Sequence, residues 1–173
     1  MALHEIVSKN GVTVHAAAVD GCGLPLLVYK GAFRGDQLRS ARQTFKANGW
    51  GAHEWSWGNG LGSSPHFHHN TAEAVCVLRG RADCAFGQKG SLRISAEAGD
   101  VIFLPPGLVH AGVGASSDVQ TMGTYPQAAP HWTMESASKI GDAAVQASIA
   151  AVPVPPDPVF GGVLISVAAA AKK

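Results

Sequence analysis

A series of short apolar or alternating segments, separated by glycine, proline, aspartate and asparagine, runs from residue 12 to about residue 125. Such segments between turn-forming residues are typical of the strands of a β-sandwich or β-barrel, which cross a core in a few residues. The clearest of these segments are 26–29, 74–78, 82–86, 92–95, 101–104, 109–113 and 119–125. The pattern therefore predicts an all-β fold of short strands.

Two segments depart from this strand pattern. Residues 40–47 surround Phe45 with polar and basic side chains and predict one short helical turn. Asp142 is expected to cap a short helix over 143–152, because the proline that follows cannot continue a helix. The proline-rich run 152–158 suits neither a helix nor a central strand, and it predicts an extended arm that wraps the barrel or a neighbouring subunit.

Length and composition indicate one compact domain. The chain has 173 residues, of which 46% are hydrophobic and 14% charged, with a formal net charge of +1. We therefore expect a single domain over 1–173, with the barrel at about 12–130 and the C-terminal helix and arm at about 135–173. Because no cluster of lysine and arginine forms a basic face, we expect no nucleic-acid partner.

The two ends of the sequence and the cysteines indicate where in the cell the protein is located. The first ten residues lack the pattern of a secretory signal, which predicts a cytoplasmic protein. The apolar stretch 163–171 is shorter than the roughly 20 residues that cross a bilayer, so no membrane association is expected. Cys22, Cys76 and Cys84 are odd in number and have no C-x-x-C spacing, which predicts reduced structural thiols.

Histidines and a glutamate are concentrated at two places beside predicted strands. His66 and His68 are two residues apart, so in a strand both side chains project to the same face. Glu73 lies an odd number of residues beyond His68, and the chain must turn through 69–72 before Glu73 returns to that face. His110 follows a Pro-Pro-Gly turn at the start of a later apolar segment.

These four side chains form a candidate metal site. Three imidazoles and one carboxylate suit one divalent transition metal (Fe, Ni, Mn, Zn, Co or Cu) rather than calcium or magnesium. Four protein ligands, His66, His68, Glu73 and His110, leave two positions of an octahedral ion open for water or a bidentate oxygen ligand.

Other interpretations of the histidines remain open. A single histidine on an apolar strand is more often a hydrogen-bonded core residue than a ligand. In a helix, His66, His69 and Glu73 would share one face, although the Gly-Ser-Pro segment before them and the apolar run after them argue against a helix. His69 is therefore a reserve ligand. The histidines expected on the surface are His4, His15, His53 and His131.

The spacing of these residues resembles the two-part signature of the cupin superfamily. The first part is Gly60, five residues, His66-x-His68, four residues, Glu73, six residues and Gly80; the second is Gly99, five residues, Pro105-x-Gly107, two residues and His110. Cupins usually end the second part with asparagine, where this chain has Gly114. Further segments, including 24–29, 45–50, 123–126 and 157–161, resemble the small bacterial YjlB-like cupins.

The resemblance implies a double-stranded β-helix, the jelly-roll barrel of cupins, here with a short C-terminal helix, and a homodimer. The family's activities, which include dioxygenases, isomerases, decarboxylases and plain binding domains, differ too widely to select one. The open metal positions predict a metal-dependent dioxygenase or isomerase acting on a small oxygen-chelating molecule (an enol, diol or keto compound), with Glu73 as a ligand and, if it dissociates, the base. The alternatives are a non-catalytic module that binds a small ligand through the metal, and a metal that mainly stabilises the barrel. The candidates for the pocket wall, each also compatible with a core position, are Trp55, Trp57, Met122 and Tyr125.

Overall fold

A computed structural model describes residues 2–19, 23–57, 61–129 and 131–164 of the chain. These residues form two α-helices, α1 (Gln37–Ala47) and α2 (Ala143–Ala151), one 3₁₀ turn (Ala137–Lys139) and twelve strands. In chain order the strands are β1 (His4–Lys9), β2 (Val12–Ala17), β3 (Leu26–Lys30), β4 (Trp50–Trp57), β5 (His66–Phe67), β6 (Glu73–Arg79), β7 (Arg81–Phe86), β8 (Leu92–Glu97), β9 (Val101–Leu104), β10 (His110–Ala115), β11 (Gln120–Pro126) and β12 (Glu135–Ser136).

The strands form two antiparallel sheets. In the described part of the chain, the larger sheet has the order β1-β2-β3-β9-β6-β11-β4 and the smaller sheet the order β12-β5-β10-β7-β8. Neighbours such as β3 and β9, or β6 and β11, are far apart in sequence because the chain passes repeatedly between the two sheets. The prediction of an all-β fold is confirmed.

The central strands of the larger sheet are buried on both faces. Val75 and Val77 of β6 pack into the cluster between the sheets, whereas Ala74 and Cys76 pack into a second cluster with α1. All four residues of β9 are buried, which explains its uninterrupted apolar sequence. The barrel therefore needs a cover on its outer face, and α1 and the C-terminal arm supply it.

Each of the seven predicted strand segments coincides with an observed strand, although 109 and 119 lie one residue before the strands that they were expected to begin. The barrel sheet begins earlier than expected, because β1 starts at His4 and pairs with β2. The helix predicted over 40–47 is present and ends at Ala47 as expected, but it is longer than one turn because it begins at Gln37. Asp36 accepts a hydrogen bond from the Arg39 amide (3.0 Å) and caps an eleven-residue helix. Asp142 precedes α2 as expected, but its side chain makes no capping hydrogen bond.

The proline-rich arm lies against the barrel of its own chain. The Trp50 indole donates to the Pro156 carbonyl (3.0 Å), and the Asn48 amide donates to the Pro158 carbonyl (3.0 Å). The Tyr29 hydroxyl donates to Asp157 Oδ2 (2.7 Å), whose other oxygen accepts from the amides of Val159 and Phe160. Asp157 is completely buried, so these donors replace the water that its carboxylate loses on folding.

Among the described residues, no helix has the length and apolar character required to cross a membrane. The cytoplasmic location and the homodimer stay predictions. Cys22 and most of the apolar stretch 163–171 lie outside the described residues.

Replacement of Tyr29 by phenylalanine should lower the free energy of unfolding by about 1–3 kcal/mol, because it leaves a buried carboxylate oxygen without its donor. Urea denaturation of the wild-type and Tyr29→Phe proteins measures the difference. Equal stability would show that the Tyr29–Asp157 bond contributes nothing measurable to the fold.

Cys76 and Cys84 should resist alkylation in the folded protein. Burial first, and then the charges of Asp100 and Asp83 respectively, raise the pKa of each thiol to about 12. A raised pKa leaves less of the reactive thiolate, so at about pH 9 roughly one such thiol in a thousand is ionised, against about half of ordinary thiols. Iodoacetamide followed by peptide mass spectrometry should find both cysteines unmodified up to about pH 10 and modified after unfolding. Modification that rises around pH 9 in the folded protein would contradict this expectation.

Candidate metal centre

Three buried histidines meet inside the barrel. His66 and His110 are opposite each other in the antiparallel pair β5 and β10, and their ring centroids are 4.3 Å apart. His68 directly follows β5, with its ring centroid 5.5 Å from each of the others. One potential ligand atom from each ring lies within 4.8 Å of the other two. Strand pairing thus brings together residues from two distant parts of the sequence.

Backbone carbonyl groups fix the tautomer of each ring. The Nδ1 atom of His66 lies 2.8 Å from the Ser64 carbonyl, and that of His110 lies 2.8 Å from the Leu108 carbonyl. His68 Nδ1 contacts the Thr133 carbonyl in the same way. A carbonyl only accepts hydrogen bonds, so each Nδ1 carries the proton and each Nε2 keeps its lone pair.

The lone pair of His110 has no hydrogen-bond partner in the described structure. His110 Nε2 is the one buried side-chain nitrogen or oxygen atom of the described residues without such a partner. An unsatisfied acceptor of this kind costs free energy in an apolar interior unless a cation or proton approaches it. The atom therefore fits the role of a metal ligand.

Glu73, the first residue of β6, places its carboxylate beside the histidine nitrogens. Its Oε2 atom lies 3.2 Å from His68 Nε2 and 3.7 Å from His110 Nε2. Its Oε1 atom accepts a hydrogen bond from the Trp55 indole at 2.8 Å. Burial first, and then the charge of this carboxylate, raise the pKa of the nearby Tyr125 hydroxyl. An acceptor nitrogen that faces a carboxylate oxygen requires a proton or a cation between them.

The ionisation of these groups reflects the same requirement. Burial acts to lower the pKa of His68, but the hydrogen bond and the charge of Glu73 outweigh it and raise the pKa overall. Burial acts to raise the pKa of Glu73, yet the bond and charge of His68, with smaller contributions from His110 and Trp55, lower it. Burial lowers the pKa of His110 to about 3, so this ring is neutral at ordinary pH. The site thus favours a positive charge next to an ionised Glu73.

A cavity of about 60 Å³ opens beside these four residues. Two of the expected wall residues, Trp55 and Tyr125, line it. Met122 does not line it, because it is buried in the cluster on the other side of the sheet, so the core alternative holds for this residue. The side chain of Trp57 lies outside the described part of the structure. The remaining wall residues, which the sequence did not indicate, are Leu61, Trp132 and Met134.

The turn between His68 and Glu73 follows the predicted course. β5 and β6 are strands, so the helical alternative for this segment was wrong. His69 points away from the cluster, with its Nδ1 atom 2.7 Å from the Ser148 hydroxyl of α2. Phe67, the residue between His66 and His68 in the sequence, is fully buried.

The segment 131–136, here called the strap, was not anticipated as part of the site. The Asn70 side chain donates to the His131 carbonyl (2.9 Å) and accepts from the Thr133 amide and hydroxyl (3.1 Å each). The end of the strap is β12, which pairs with β5. A sequence signal existed, because Trp132 and Met134 alternate with the polar Thr133 and Glu135 as in an edge strand.

A glycine makes room for the indole that holds Glu73. Gly123 of β11 is opposite Trp55 of β4, and a Cβ atom at Gly123 would collide with the Trp55 ring. The flat indole therefore lies over a position without a side chain, which lets its N–H reach the carboxylate.

Comparisons with known proteins agree with this geometry. Residues 55–122 match the profile of the cupin domain. The chain is 31% identical over 102 residues to the uncharacterised protein YjlB of Bacillus subtilis, and the match covers 59% of this chain and 59% of that relative's length.

Two solved structures show distant likeness. One is an uncharacterised protein with a double-stranded β-helix domain from Klebsiella pneumoniae (14% identity, 76% of this chain and 90% of that chain, TM-score 0.38). The other is a deletion mutant of Bacillus subtilis oxalate decarboxylase (16% identity, 77% of this chain and 30% of that chain, TM-score 0.37). Neither likeness carries an argument about activity.

Replacement of Trp55 by phenylalanine should weaken metal binding by about 10- to 100-fold, because Glu73 loses the donor that orients it. Competition with a coloured chelator measures the affinity. Trp50→Phe is the matched control, since it removes an indole hydrogen bond to the arm, away from the cluster. If both variants bind metal like the wild type, the Trp55 bond does not position a ligand.

Proposed function

We propose that this chain, which belongs to the cupin superfamily, binds one divalent transition-metal ion through His66, His68, Glu73 and His110 and uses it to transform a small molecule. The superfamily membership, and with it the double-stranded β-helix, rests on the matched domain and on the sequence similarity to YjlB. The proposed reaction class is that of a metal-dependent oxygenase or isomerase.

One observation carries the metal proposal: three buried imidazoles have their Nδ1 protons bound to carbonyl groups, and their remaining nitrogens lie close together. Second-sphere bonds of this kind fix the ring orientation of metal-ligating histidines. A cluster of core histidines with only a structural role would use both nitrogens in hydrogen bonds, whereas His110 Nε2 has no such partner among the described residues.

The donor set selects the kind of ion and the kind of substrate. Neutral imidazoles with one carboxylate suit iron, nickel, manganese, zinc, cobalt or copper. When bound, such an ion would lower the pKa of a chelating hydroxyl group, polarise a carbonyl group and, if redox-active, exchange electrons. A substrate with two neighbouring oxygens, such as an enol, diol or keto compound, fits the two positions that four protein ligands leave open.

Two side chains around Glu73 would support the chemistry. The Trp55 indole bonds to the carboxylate and holds it beside the histidines, and Tyr125 lines the same cavity. Burial first, and then the charge of Glu73, raise the pKa of Tyr125, so its hydroxyl stays protonated and can donate to an oxygen in the cavity. The Glu73 carboxylate, beside the histidine nitrogens, would also be the group placed to take a proton from a bound substrate.

Protein purified without added metal or chelator should contain about one transition-metal ion per chain, as the four-ligand site requires. Elemental analysis measures the content of the wild type and of the alanine variants of His66, His68 and His110. Each variant should lose most of its metal.

His69→Ala is the matched control, because it removes a neighbouring imidazole that bonds to Ser148 instead of facing the cluster. Loss of metal from His69→Ala with full occupancy in His68→Ala would overturn the ligand assignment. With a redox-active ion, oxygen consumption in the presence of enol and diol compounds tests for an oxygenase. With zinc, interconversion of keto and hydroxy compounds tests for an isomerase.

A further inference from the structure

The strap is held rigidly across the mouth of the cavity. Asn70 ties both His131 and Thr133 through its side chain, and Thr133 accepts a hydrogen bond from His68. Beyond Thr133, Glu135 pairs with Phe67 of β5. The side chains of the strap therefore stand at fixed positions relative to the histidine cluster.

Two large apolar side chains of the strap line the cavity while they remain exposed. Trp132 is 44% and Met134 is 52% exposed, and the three other exposed large apolar residues of the described chain are valines that do not line this cavity. The Trp132 ring stacks on Tyr125, with 5.8 Å between centroids and 9° between planes. One face of the indole is thus held by the protein, and apolar surface is left at the entrance.

The inner cavity is too small for more than a chelating group. Its volume of about 60 Å³ corresponds to about five water molecules, and a metal ion would occupy part of it. Any larger substrate must therefore extend outward past the strap.

The uncharged residues that line the cavity indicate the polarity of the part of a substrate that extends outward from it. Apart from Glu73 and the three histidines, the described residues that line the cavity carry no charge. A phosphate or a second carboxylate on the substrate would find no partner there, whereas an aromatic or alkyl group would cover exposed apolar surface.

We propose that Trp132 and Met134 form a subsite for an apolar, preferentially aromatic, substituent of a substrate whose two neighbouring oxygens bind at the histidine cluster. This inference rests on the proposed function. The strap then determines specificity: its backbone orients His68 through Thr133, and its side chains select the group attached to the chelating oxygens.

Two hydroxamates that share a chelating group test the subsite in the zinc-loaded protein. Acetohydroxamate carries a methyl group and benzohydroxamate a phenyl group, so the ratio of their dissociation constants reports the substituent. In the wild type benzohydroxamate should bind about tenfold more tightly, from stacking and apolar burial. The ratio should fall about fivefold in Trp132→Ala and about twofold in Met134→Gln, because the phenyl group covers more of these side chains than the methyl group does.

Comparison of ratios between variants removes the intrinsic difference between the two chelators. Val154→Ala is the control, because Val154 is 63% exposed but lies outside the cavity lining. Metal content is measured for every variant. If Trp132→Ala loses metal through its contacts with Tyr125 and His68, Met134→Gln still tests the subsite.

The outcomes separate the two proposals. If acetohydroxamate does not bind zinc-loaded wild type, the proposed function fails and the subsite fails with it. If both hydroxamates bind and the ratio is the same in wild type, Trp132→Ala and Met134→Gln, only the subsite is wrong. A dimeric wild type that becomes monomeric in Trp132→Ala would also overturn the subsite, since the exposed pair would then be an interface between two copies.

Discussion

Burial of three imidazoles and a carboxylate in an apolar barrel is the constraint on which the rest of the site depends. Polar groups in such an interior destabilise the fold unless each finds a partner. The Nδ1 atoms of the three cluster histidines find backbone carbonyls, and Glu73 finds the Trp55 indole. What remains is a set of lone pairs that face a carboxylate. The fold thus satisfies every requirement of these groups except the one that a cation meets.

The three histidines depend on different parts of the fold. His66 and His110 bond to carbonyls two residues before them in the chain, so their orientation is set by the local path of β5 and β10. His68 bonds to Thr133, 65 residues away, and therefore depends on the strap and on the Asn70 side chain that holds it. A change in the strap thus affects both the metal geometry and the entrance of the cavity.

The larger sheet depends on the cover that lies over its outer face. β6 and β9 are buried on both faces, and α1 and the arm shield the face that is turned away from the smaller sheet. Tyr29 of β3 binds Asp157 of the arm, and Trp50 at the start of β4 binds its backbone. These bonds connect the C-terminal part of the chain to the outer face of the sheet that carries Glu73.

The sequence by itself determined the pattern of short strands and the candidate ligands, because both follow from local periodicity and spacing. His66 and His68 share a face of a strand, and the turn returns Glu73 to that face. Only the tertiary structure decided which face of β11 meets the cavity, that Trp55 rests on Gly123, and that the strap closes the site. These features depend on the pairing of strands from distant parts of the chain, which no local pattern of residues specifies.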